Sequence, residues 1–146
     1  MEKRILALDV GDRRIGMAMS DLLGWTAQPL YTIHRTNDEE DLGKIVEVIK
    51  QYDIGTIVCG LPKNMDGTVG FQGEKTMQFV EQLQQLIPPE IKVVFQDERL
   101  STKSAKQVMH TSGVKKKNKK NMIDTIAAVF ILETYLMKKY HLFVIN

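Results

Sequence analysis

The sequence predicts an α/β domain with a mixed five-stranded sheet, its first three strands antiparallel, and helices on both faces. Three observations predict it. Up to His34 the chain holds three short apolar runs separated by turn residues, the pattern of a meander. From Thr36 the apolar spacing lengthens to that of a helix, and the remaining elements follow as α-β-α-β-α-α. Two of the strand-like runs end in acidic residues, at Asp9 and at Asp97-Glu98, and open α/β sheets place their sites at carboxyl ends of strands.

Each element has its own signal. Arg4 to Asp9 reads as the first strand, through the run Ile5-Leu6-Ala7-Leu8. Gly11-Asp12 makes a turn, and Arg14 to Ser20 alternates Ile15, Met17 and Met19 inward. Leu30 to His34 follows Pro29 as the third strand. Thr36 or Asn37 caps a helix whose first turn holds Asp38, Glu39, Glu40 and Asp41, favourable at the positive dipole end. Its stripe is Leu42, Ile45, Val46, Ile49 and Tyr52. Thr56 to Cys59 is a short buried strand, followed by a long loop from Gly60 to Gly70. A second helix buries Phe79, Val80, Leu83 and Leu86 before Pro88-Pro89 stops it. Lys92 to Gln96 is the fifth strand. Ser101 or Thr102 caps a more polar helix reaching about Ser112, and Gly113 ends it. A lysine-rich loop leads to a last helix from about Asn121 to Tyr140.

The length of 146 residues suits one domain, spanning 1–146, with a substantial core. No apolar stretch is long enough to cross a bilayer, so no membrane partner is expected. Met1-Glu2-Lys3-Arg4 runs straight into a strand pattern, so no signal peptide is expected. Cys59 is the single cysteine; it fits a small core residue and a reducing, cytoplasmic setting. The net charge of +2 says little, but Lys115, Lys116, Lys117, Lys119 and Lys120 lie together.

Asp124 falls on the apolar face of the last helix, beside Ala127, Ala128 and Ile131. Carboxylates set against a core are costly unless paired or bound to a cation. Asp9, Glu98 and Asp124 could meet at one sheet edge, and such a set suits Mg²⁺ or Mn²⁺, which take oxygen ligands and phosphate oxygens. Asp97 and Glu98 are neighbours on a strand, so only one can face the site. The lysine run next to Asp124, with Arg14, Lys63 and Arg99, suggests a phosphate polymer as substrate. Read blandly, Asp9 alone is a turn residue, and a charge run is a solvated face.

Four blocks in order carry a family resemblance over essentially the whole chain. They are Leu8-Asp9-Val10-Gly11 with Arg14-Ile15-Gly16-Met17-Ala18 and Ser20-Asp21; Gly60-Leu61-Pro62 with Asp66-Gly67-Thr68; Asp97-Glu98-Arg99-Leu100-Ser101-Thr102; and Asp124-Thr125-Ile126-Ala127-Ala128. Together they resemble the YqgF/RuvX family. The resemblance implies a ribonuclease H-like fold related to the RuvC resolvases. It implies a metal-dependent nuclease that processes the 5′ end of pre-16S rRNA in ribosome biogenesis. Asp9, Glu98 and Asp124 would then be the catalytic metal ligands. The alternative it implies is a Holliday-junction resolvase acting on branched DNA, which needs a dimer to face two symmetric strands. A monomer or a homodimer is therefore expected. RuvC-type resolvases carry two aspartates one turn apart on the last helix, and the earlier position here is Asn121, an amide and a weaker metal ligand. A third reading is a non-catalytic RNA-binding or transcription-associated factor. The opening hairpin also resembles the phosphate-binding start of actin-like ATPases, but those need two such domains, and this chain has length for one.

Overall fold

The computed structural model describes residues 3–98 and 116–145, with side chains of the last helix described from 125 to 140. Five strands form one sheet: β1 (Arg4–Val10), β2 (Arg14–Ser20), β3 (Ala27–His34), β4 (Ile54–Leu61) and β5 (Lys92–Asp97). Their order is β3-β2-β1-β4-β5. β1, β2 and β3 pair antiparallel, while β4 and β5 run parallel to β1. Helices α1 (Asp38–Gln51), α2 (Phe71–Gln85) and α3 (Lys116–Ile145) complete the described architecture.

The two faces of the sheet are set by strand parity. Leu6, Leu8, Ile15, Met17, Ile57 and Cys59 pack with Ile45, Phe79 and Leu83 of α1 and α2 in one buried cluster. Ile5, Ala7, Ala18 and Val58 pack with Ala128, Ile131, Leu132 and Leu136 of α3 in another. A sheet buried on both faces reads as continuous apolar runs rather than strict alternation, which is the pattern of β1. Small residues at Ala7, Ala18, Ala127 and Ala128, all fully buried, allow α3 to lie close on the sheet. Two polar contacts fix that helix along its length. The Thr125 and Thr32 hydroxyls are 2.8 Å apart, and Tyr140 donates its hydroxyl to the Gly24 carbonyl while stacking on Trp25.

Several boundaries differ from the sequence expectation. β3 starts at Ala27 and runs through Pro29. It is an edge strand, where a missing N–H is tolerated, and its register with β2 shifts between Gly16 and Ala18. Asn37 rather than Thr36 caps α1, accepting from the Glu40 N–H at 2.9 Å. Val48 replaces Val46 in the fully buried stripe of α1; Val46 and Tyr52 are partly buried. Leu86 lies beyond the end of α2 as its C-cap and is exposed. α3 begins at Lys116, not Asn121, so Lys116, Lys117, Lys119 and Lys120 stand on a helix and not in a loop. Lysine is a good helix former, and the helix starts five residues earlier than expected. The helix expected from Ser101 or Thr102 to Ser112 lies outside the described residues.

Asp41 departs most from its expected role. It is not a solvated dipole partner but fully buried. Arg35 Nε donates to Asp41 Oδ2 at 3.0 Å, and the Thr36 N–H donates to Oδ1 at 3.2 Å. The same guanidinium donates to the Gly11 carbonyl and to Asp38, and lies over the Phe79 ring. Arg35 thereby ties the start of α1 to the turn that follows β1. Replacing Arg35 with Met leaves a buried carboxylate without its cation and should lower unfolding free energy by about 3–5 kcal/mol. Denaturant unfolding of the two proteins measures this; a loss under about 1 kcal/mol, the range of an exposed pair, would contradict it.

Candidate active site at the carboxyl edge of the sheet

Register places the acidic residues. Asp9 pairs with Gly16, and Gly16 pairs with Thr32. On the other side Leu8 pairs with Cys59, so Asp9, one step further, lies beside Gly60. Gly60 pairs with Gln96. One row across the sheet therefore reads Thr32, Gly16, Asp9, Gly60, Gln96. Parity turns Asp9 to the α3 face, because Ala7 packs there. Glu98, two residues past Gln96, comes to the same face, and its N–H donates to the Leu61 carbonyl at 3.4 Å.

Asp9 and Glu98 meet. A hydrogen bond joins their carboxyl groups, and Glu98 is only 7% exposed. Burial first, then the Asp9 charge and that hydrogen bond, then the Asp97 charge push the Glu98 carboxyl up to about 9. Without a bound cation, Glu98 thus holds its proton at neutral pH beside Asp9. Glu98 Oε2 is buried and has no hydrogen-bond partner among the described residues. Such an oxygen is costly unless something else occupies it. The space it fills comes from Gly60: a Cβ there would lie 2.5 Å from Glu98 Oε2 and 2.5 Å from Ile131 Cδ1. Gly60 was legible as part of a motif, but not as the residue that makes room for the carboxyl group.

The other expected site residues divide. Asp97 ends β5 opposite Leu61, and parity sends it to the face away from α3, so Glu98 is the one that joins Asp9. Arg14 shares the α3 face with Gly16, two residues nearer the turn. Lys63 follows the end of β4 on the same sheet edge. Asp124 lies in α3, directly before Thr125, whose hydroxyl bond to Thr32 anchors that turn over the row containing Asp9. The Asp124 side chain, and those of Lys116, Lys117, Lys119 and Lys120, lie outside the described set, as do Arg99 and Lys115 entirely. Among the described residues no cluster of three potential metal ligands exists. Cys59 faces the α1 and α2 core, and burial, with Glu98 and Asp9 behind it, raises its thiol well above its usual range, so it is no nucleophile.

A polar cleft of about 370 Å³ lies between α1, α2 and the turn after β1, lined by Asp12, Arg35, Asn37, Gln72 and Lys75. It opens on the face to which Val10 points, opposite Asp9. The carboxyl pair and this cleft are therefore separate features.

Residues 3–138 match the model of the RuvX family, described as Holliday junction resolvase. A protein of Acetivibrio thermocellus, provisionally named a pre-16S rRNA nuclease, is 51% identical over 137 residues, 93% of this chain and 96% of its own. One from Staphylococcus epidermidis with the same provisional name is 46% identical over 138 residues, 93% of this chain and 96% of its own. Among solved structures, Thermus thermophilus RuvC in complex with a Holliday junction substrate superposes with a TM-score of 0.58 at 11% identity, covering 94% of this chain and 97% of that one. The fowlpox virus Holliday junction resolvase gives 0.55 at 14% identity, covering 94% and 99%. At such identities the likeness shows the fold, which is ribonuclease H-like.

Proposed function

The chain belongs to the RuvX family, and from that membership and the carboxyl pair at the sheet edge we propose a metal-dependent nuclease acting on pre-16S rRNA. The observation that carries the reading is the buried Glu98 oxygen without a partner, hydrogen-bonded through its other side to Asp9. Two carboxyl groups sharing a proton in a low-dielectric site suit a hard divalent cation, which replaces the proton. Asp9, Glu98 and Asp124 would hold Mg²⁺ or Mn²⁺. Bound there, such an ion activates water and stabilises the leaving oxygen of a phosphodiester.

The chain's own residues supply the rest. Gly60 keeps the Glu98 carboxyl group in place against the sheet. Arg14, Lys63, Arg99 and the lysines from 115 to 120 hold backbone phosphates. With Lys116, Lys117, Lys119 and Lys120 on a helix, the basic residues lead into the turn that carries Asp124. Lysines at a helix start oppose its dipole, and phosphates would relieve that strain. Residues 1–146 work as one domain, and the setting is cytoplasmic.

A second reading, resolution of branched DNA, is favoured by the family description and by the structural likeness to proteins with Holliday junction substrates. It requires a homodimer. Cleavage of a precursor rRNA fragment and a four-way DNA junction, at matched salt and with Mg²⁺, Mn²⁺, Ca²⁺ or EDTA, separates the two. The rRNA fragment should be cut with Mg²⁺ or Mn²⁺, little with Ca²⁺, and not in EDTA. Preferential cutting of the junction would transfer the proposal to DNA.

The lysines have a separate signature. Changing Lys115, Lys116 and Lys117 to Gln should weaken binding of all sequences. Each lost phosphate contact should flatten the plot of log affinity against log salt by about 0.7 for a single strand and about 0.9 for a B-form duplex. Titrations at several salt concentrations read the slope. An unchanged slope would assign these lysines to solvation alone.

A further inference from the structure

The segment leaving β4 at the Asp9–Glu98 edge carries exposed apolar side chains. Met65 is 92% exposed, Phe71 73% and Val69 38%. This segment is firmly built. Asn64 and Thr68 close it with a backbone bond of 2.8 Å, Asp66 accepts from the Thr68 N–H and hydroxyl, and Gly67 supplies the positive φ of 88°. The first turn of α2 is seated directly on the end of β4. A Cβ at Gly73 would come within 2.8 Å of the Pro62 carbonyl and 2.7 Å of Val69. Phe71, at the first position of α2, is therefore held in the open beside the end of β4, on the α1–α2 side of the sheet.

One cation stands against its ring. Lys75 Nζ lies 4.5 Å from the centre of the Phe71 ring and 3.5 Å from Asp12 Oδ1, in the turn three residues after Asp9. Lys75 and Asp12 are both well exposed, 45% and 63%, so the ion pair is weak and the ammonium can turn to a phosphate at little cost. An open aromatic face beside a mobile positive charge has the chemistry of a nucleotide: base on ring, phosphate on ammonium. A protein partner would use the ring but would have no need of the lysine.

We propose that Phe71, backed by Lys75, is a stacking platform for an unpaired nucleobase of the bound nucleic acid, on the opposite side of the sheet edge from the Asp9–Glu98 pair. The substrate would then present at least one unstacked nucleotide outside the cleavage site itself. This rests on the nuclease reading above and narrows its substrate class. Fully paired duplexes keep their bases stacked inward and cannot use the platform.

The test is binding in EDTA, so that it does not depend on cleavage. Two labelled RNAs of equal length are compared by anisotropy, a blunt, fully paired duplex and the same duplex with an internal single-stranded loop. Phe71→Ala should weaken the looped RNA by about 10-fold or more and the paired RNA by less than about twofold, the size of one lost base–aromatic stack. Phe71→Trp should restore binding of the looped RNA, and Phe71→Leu should not. Equal affinity of Phe71→Ala and wild type for the looped RNA, equal losses on both RNAs, or full rescue by Leu would overturn the platform. A protein that binds in this pattern yet cuts nothing with any metal would retain the platform and refute the nuclease reading instead.

Discussion

Replacing Asp9 with Asn should abolish phosphodiester cleavage and leave the fold intact. Asp9 lies at the carboxyl end of β1, hydrogen-bonded to Glu98, and its charge is one cause of the raised Glu98 carboxyl. In the metal-free protein Glu98 holds its proton beside Asp9, and the isosteric amide keeps an oxygen to accept that hydrogen bond and breaks no core contact. Thermal unfolding should move little, or upward. Turnover should fall by about three orders of magnitude or more, because a metal-held site supplies several kcal/mol of transition-state stabilisation. Asp124→Asn should behave alike. Cleavage assays beside circular dichroism melts check both. Loss of structure in the two variants would make these structural carboxylates.

Glu98→Gln should also end cleavage, and it should change how stability depends on pH. The folded Glu98 carboxyl titrates at about 9, against an ordinary 4.5. Between those values the folded chain holds a proton that the unfolded chain has lost. The contribution is thus fully present below about pH 4.5 and is lost as pH rises towards 9. Metal-free wild type should lose stability from pH 5 to pH 9 relative to the Gln variant, which has no proton to give up there. The variant should be the more stable at pH 8. Urea unfolding at a series of pH values reads the two curves, and parallel curves would mean that Glu98 titrates normally.

Most of this fold was legible because its determinants are local. The apolar runs of β1, β2 and β4, the acidic first turn of α1 and the Pro88-Pro89 stop all act within a few residues. What was misread depends on tertiary position. Pro29 can sit within β3 only because β3 is at the sheet edge. Leu86 fits the spacing of the buried stripe of α2 but lies just past the helix end, in water. Asp41 looked like one of four acids at a helix start, and nothing local reveals that Arg35 buries it. The lysine run resembled a loop because like charges repel, yet its helix propensity prevails.

The site was legible in a different way. Strand parity allowed only one of Asp97 and Glu98 to join Asp9, and the family resemblance chose Glu98, as the geometry does. The space for that carboxyl group was not legible, since it comes from Gly60 on a neighbouring strand. Phe71 gave no signal, because an exposed phenylalanine and a buried one look alike in a sequence.

The central claim is that Asp9 and Glu98 bind a divalent cation in exchange for the proton they share. Calorimetric titration of Mn²⁺ into metal-free protein at pH 7.5, in two buffers of different ionisation enthalpy, tests it without reference to activity. Wild type should bind Mn²⁺ and release close to one proton, and both Asp9→Asn and Glu98→Gln should lose that binding. Mn²⁺ binding of unchanged affinity in Asp9→Asn, or binding to wild type with no proton released, would contradict the account.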